Sequence, residues 1–172
     1  MSLEEAIGII NEFDRIMSTI DPLANAVLKG HFEIEEQLDF VLEKLATNPR
    51  FLELSGARFA RKIKLLRAFG PLGGDDRWDL IESLNTLRNK VAHRFEGPVR
   101  ENALRNLRIQ VNRFLPGIDF VSKDYELVVV ACMQSLALLL DVQHKIVTVN
   151  QSQNITGNAS DIAPTTYPGP TD

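Results

Sequence analysis

The stretch Leu84-Asn85-Thr86-Leu87-Arg88-Asn89-Lys90-Val91-Ala92-His93-Arg94-Phe95 decides how this chain is read. Together with Ile81 before it, Leu84, Leu87 and Val91 recur at helical spacing, so the segment forms the last turns of an amphipathic helix. Its polar positions are unusual. At about 3.6 residues per turn Asn89 and His93 stand one above the other, with Arg88 about 100° round, so one wall of a groove can hold all three. Imidazole exchanges protons near neutrality, and the guanidinium fork fits a phosphate. A phosphodiester is the ligand that would use both. The spacing equally admits a plain structural use, in which His93 meets the last carbonyls of the helix and Arg88 sits in a surface ion pair.

Working outward, the chain has 172 residues, 44% hydrophobic and 24% charged, enough for one globular domain with a real core. Nineteen Lys and Arg against 23 Asp and Glu give a net charge of −4, which argues against a general nucleic-acid binder. The distribution is uneven. From Arg58 to Arg113 there are thirteen basic and six acidic residues, and the motif lies inside that basic segment. A polyanion or an acidic partner would suit it, as would internal pairing with the acidic helix Glu33 to Glu43. The single cysteine, Cys132, sits in the apolar run Leu127 to Leu140 and reads as a buried, inert thiol in a reducing compartment. Met-Ser-Leu-Glu-Glu at the start has no signal-peptide character, and the Leu127 to Leu140 run is too short to span a bilayer, so a cytoplasmic protein is expected.

A bundle of about five or six helices follows from apolar periodicity and from Pro and Gly punctuation. Ser2 and Glu5 form a capping box for a first helix to about Ser18, with Ile7, Ile10, Phe13 and Met17 on one face. Asp21-Pro22 opens a second, to about Ala46, with the stripe Leu23, Val27, Ile34, Leu38, Val41 and Leu45. Gly30 interrupts it and predicts a close approach by a neighbouring backbone; His31 is placed on the opposite side, paired with Glu35 one turn on. Ser55 or Gly56 is expected to cap a third helix, Ala57 to Phe69, with Arg58, Arg61, Lys62, Lys64 and Arg67 on its solvated side. The motif helix starts at Arg77 or Trp78 and is ended by Gly97-Pro98. A fifth helix covers Val99 to Phe114. The sixth, about Asp124 to Val149, is apolar nearly all round and belongs at the centre of a bundle or in an oligomer interface. Asn150 to Asp172 is expected to be a flexible polar tail. The fold class is therefore all-α, a single helical bundle over residues 1–149.

Other chemistries find little support. The three histidines, His31, His93 and His144, fall on different helices with no Cys pair, so no metal is expected; nor is any cofactor, since Gly70 to Gly74 lacks the lysine and strand of a phosphate loop. No serine triad can be assembled.

The second helix with Gly-His-Phe-Glu-Ile-Glu-Glu-Gln-Leu, the helix Phe59-Ala-Arg-Lys-Ile-Lys-Leu-Leu, a Gly-rich turn and a helix ending Leu-Arg-Asn-Lys-Val-Ala-His together resemble the HEPN superfamily over about residues 20–148. Arg88-Asn89-x-x-x-His93 matches that family's R-N-x-x-x-H signature. Lys62 to Leu87 is also similar to mannitol-repressor-like helical proteins, in which the ribonuclease signature is often degraded. The resemblance implies a metal-independent endoribonuclease acting in toxin–antitoxin, defence or RNA-processing roles. It implies a homodimer whose signature helices face one another, with His93 as general acid or base, Arg88 balancing phosphoryl charge, and Asn89 orienting His93 or holding a phosphate. It further implies a neutralising partner such as a small nucleotidyltransferase. Lys90, Arg94, Arg61 and Lys64 are the candidate RNA contacts. The other reading is a non-catalytic interaction module or transcriptional regulator resembling the mannitol repressor.

Overall fold

A computed structural model describes residues 3–18, 21–54, 56–93, 97–117 and 123–159. Among these, six helices carry the fold and no strand occurs: α1 (Leu3–Ser18), α2 (Pro22–Leu45), α3 (Phe59–Phe69), α4 (Arg77–Ala92), α5 (Pro98–Phe114) and α6 (Asp124–Ala159), with a short 3-10 turn at Pro49–Phe51. The bundle is all-α, as its periodicities predict. Ser2 of the capping box and the alternative cap Ser55 lie outside the described residues, as do the side chains of Phe13 and Met17.

The ends of the helices follow local chemistry. Asp21 accepts a bond from the Leu23 amide at 2.9 Å and Pro22 follows it, so α2 starts as expected. Burial alone would raise the Asp21 carboxyl, but hydrogen bonds from Arg100 and Leu23 outweigh it and hold it below the usual range. α4 stops sooner than Gly97-Pro98 requires: His93 is already its C-cap, and its amide donates to Asn89 O at 3.2 Å. α6 runs on to Ala159, ten residues past the expected end; the tail expected beyond it lies outside the described residues.

α6 is the central element and packs on α2, α4 and α5. It is the one described helix long and apolar enough to cross a membrane, and it buries Leu127, Leu138, Leu139 and Val142 inside the bundle. Its closest approach to α2 explains Gly30. A Cβ there would lie 2.2 Å from Cys132 Sγ, so the neighbour that demands glycine is a side chain rather than a backbone. Burial pushes the Cys132 thiol up to about 11, which leaves it protonated and unreactive. α4 meets the same core through Trp78, Leu80, Ile81, Leu84 and Leu87, all buried. The Trp78 indole donates to Leu72 O at 2.8 Å, fixing the Gly-rich turn against the bundle. On α1, Ile7, Ile9 and Ile10 are exposed.

Part of the basic segment is neutralised internally. Lys62 belongs to the core rather than to the solvated side of α3: its side chain is buried, with Nζ 3.0 Å from Glu35 Oε1 and 2.8 Å from Asp39 Oδ2 on α2. Desolvation would lower its pKa, but those two hydrogen bonds outweigh it and the group stays charged. Arg67 reaches Asp79 and Glu82, and Arg77 bridges Asp75 and Asp141.

Candidate functional site

A cleft of about 350 Å³ opens where the middle of α2, the start of α3 and the C-terminal half of α4 converge, lined by His31, Glu35, Phe59, Asn85, Arg88 and Asn89 among others. Three local facts build it. On α4, Asn85, Arg88 and Asn89 stand at i, i+3 and i+4, so they share a face one turn from the buried Leu84 and Leu87. On α2, His31 falls at i+4 from Val27 and i−3 from Ile34, both fully buried, which places it on the inward stripe. α3 begins at the same wall, with no side chain capping it at Arg58.

His31 is therefore not on the opposite side of α2. It is 5% exposed, its Nε2 lies 3.1 Å from Asn85 Oδ1, and its ring stacks on Phe59 with centroids 4.1 Å apart. Its expected partner Glu35 is present but distant, 3.9 Å from Nδ1, because Glu35 is turned to Lys62. Burial lowers the His31 pKa, and the nearby Arg88 charge adds to that, against opposing effects of Asn85 and Glu35. The ring is neutral at physiological pH. In its Nε2–H form it donates to Asn85.

Arg88 is half-buried and donates from Nη1 to Asn89 Oδ1 at 3.2 Å. His93 is exposed at the helix end and lies outside the cleft, so within one chain the three signature residues do not share a single wall. The helix unwinds at His93, whose φ of −88° and ψ of 11° carry it off the regular helical track. Arg61 and Lys64 are exposed on α3, and Arg61 lines a different concavity beside Glu43 and Phe51. Lys90 is half-buried on α4, and Arg94 lies outside the described residues. Among the described residues no group of His, Cys, Asp and Glu has the arrangement of a metal site.

The arrangement can hold an anion beside a neutral imidazole, with a second imidazole, His93, exposed at the helix end. His31 is the residue that motif reading missed. Its signal was present in the spacing Val27-His31-Ile34, which puts a histidine on an otherwise apolar stripe. Comparison of the chain with family models, with curated proteins and with solved structures found no match.

Proposed function

We propose that the protein is a metal-independent endoribonuclease of the HEPN type, acting as a homodimer. The observation that carries this reading is the disposition of α4: Arg88 and Asn89 stand at the mouth of a cleft while His93, one turn on, is exposed. A histidine serving only to tie helices together would be buried, as His31 is. One exposed imidazole per chain becomes two when signature helices face each other across a two-fold axis. One His93 then takes the proton from a ribose 2′-OH, and the oxygen attacks the adjacent phosphorus. The other protonates the departing 5′-oxygen, and Arg88 balances charge on the phosphoryl oxygens. The products are a 2′,3′-cyclic phosphate and a 5′-hydroxyl end. The companion expectations are a cytoplasmic setting and a neutralising protein partner.

A second reading, a non-catalytic interaction module resembling the mannitol repressor, draws support from a different place. Phe69 is exposed beside an apolar groove of about 370 Å³ lined by Leu42, Leu45, Leu52 and Leu65, a surface suited to a protein. Incubation with cellular RNA in EDTA, beside the His93→Ala variant, separates the two. Cyclic-phosphate ends made only by the wild-type chain support the nuclease; intact RNA throughout moves the assignment to the interaction module.

A further inference from the structure

The His31–Asn85 contact joins residues 54 positions apart and lies against Arg88, and the signature chemistry makes no use of it. Its effect is to fix which atoms the cleft presents. Asn85 Oδ1 is taken by the His31 Nε2–H, so the Asn85 amide turns its Nδ2 hydrogens outward. Asn89 Oδ1 is taken by Arg88 Nη1–H, so Asn89 likewise presents its Nδ2 hydrogens. Arg88 keeps most of its five donors. Glu35, the one carboxylate among the described lining residues, is held at 3.0 Å by Lys62, which it shares with Asp39. The α3 end that opens on the same wall has no side-chain cap, so its first amides add to the same polarity. What remains is a concave set of donors around Arg88, with a second permanent cation, Arg58, in the same lining.

We propose that this cleft is an oxoanion subsite that grips one phosphate group through Arg88, Asn85 and Asn89, with His31 as the positioning residue that fixes Asn85. His93 is not in the lining, so the phosphate that Asn85 and Asn89 hold is one flanking the bond that is cut, and Arg88 divides its donors between that phosphate and the scissile phosphoryl oxygens. The inference rests on the ribonuclease reading for the strand that carries this phosphate, and not for the site itself. A free phosphate-bearing molecule offers the same chemistry. A neutral His31 suits the role, because it orients Asn85 without competing with the anion for Arg88.

The test uses the full chain in a His93→Ala background, where a strand stays whole. Side-chain amide signals of Asn85 and Asn89 are followed by NMR during titration with inorganic phosphate and, separately, with a single-stranded RNA decamer. Both probes are expected to shift both amides. His31→Phe keeps the stacked ring and loses the donor; it should weaken RNA binding roughly tenfold, the worth of a charge-assisted contact. Arg88→Ala, which removes a cation, should flatten the dependence of log K on log salt by about 0.7, the value of one phosphate on a single strand, whereas His31→Phe removes no charge and should leave that slope unchanged. His31→Gln, whose amide can reach Asn85, should restore the affinity, which a merely structural role for the ring would not do. Asn85→Ala replaces His31→Phe as the probe should the latter unfold. Shifts with phosphate alone, and no RNA bound, support the site and remove the strand as its source. RNA that is bound, and is cut by the wild-type chain, with both amides unmoved and the affinity unchanged in His31→Phe, overturns the subsite and leaves the nuclease standing. Amides unmoved by either probe overturn the subsite outright.

Discussion

His31 on α2 and Asn85 on α4 are joined by a 3.1 Å hydrogen bond that fixes the cleft-facing sides of the two helices. The bond is made by a buried imidazole whose pKa lies below its ordinary value of 6.5. In the unfolded chain the ring takes up a proton as pH falls through 6.5; in the folded chain it resists until lower pH. The unfolded state therefore binds more protons in that window, and stability falls as pH drops from 6.5 through the folded pKa. Urea unfolding of the wild type should show this loss, and His31→Gln should flatten it. An equal pH dependence in both would remove His31 as its source.

Lys62 is the second buried polar anchor, held by Glu35 and Asp39. Lys62→Met leaves two carboxylates facing each other without a counter-ion. Because those carboxylates are about a third exposed, the expected loss is about 2 kcal/mol, below the 3–5 kcal/mol seen when a fully buried pair is broken. Adding Glu35→Gln and Asp39→Asn to Lys62→Met should recover most of it in chemical denaturation. A triple variant no more stable than Lys62→Met would show that Lys62 acts by packing its stem, not by its charge.

Gly30 and Cys132 form a third testable pair. In a free helix Gly30→Ala would gain about 1 kcal/mol of propensity, but here its Cβ would meet Cys132 Sγ at 2.2 Å. Overpacking should dominate, with a net loss of about 1–2 kcal/mol and a lower Tm. Gly30→Ala combined with Cys132→Ala should return to wild-type stability or exceed it, as a thermal double-mutant cycle would measure.

These pairs also mark what the sequence made legible. Helix count, the Asp21-Pro22 start of α2 and the central place of α6 follow from local periodicity and from Pro and Gly punctuation, and local patterns survive folding. The demand for glycine at position 30 was readable too, although its cause, a thiol 102 residues away, was not. His31 and Lys62 were misplaced for one physical reason. Each was judged by its polarity, whereas its burial is set by partners, Asn85 and Asp39, that sequence spacing does not bring near. The signature Arg88-Asn89-x-x-x-His93 was visible at once, but its partition between a cleft and an exposed helix end depends on where α4 unwinds.

That partition gives the last prediction. His93 and Arg88 do separate jobs in the proposed reaction, and neither supports the core: His93 is exposed and Arg88 is half-buried beside Asn89. His93→Ala should lower RNA cleavage by about 10²–10⁴-fold, the usual worth of general acid–base catalysis, with Tm changed little. Arg88→Ala should lower cleavage by a comparable factor and also weaken RNA binding, since it removes one of the two arginines that line the cleft. The two effects should not add in a double variant, because both act on one transition state. A mixture of wild-type chain with His93→Ala is the sharper measurement. Since one cleft uses both His93 imidazoles, mixed dimers with a single intact His93 should cleave about as poorly as the variant, and activity should fall with the square of the wild-type fraction. A fall in simple proportion to that fraction, in a mixture shown to exchange subunits, would place the reaction within one chain, and the dimeric mechanism would have to be abandoned.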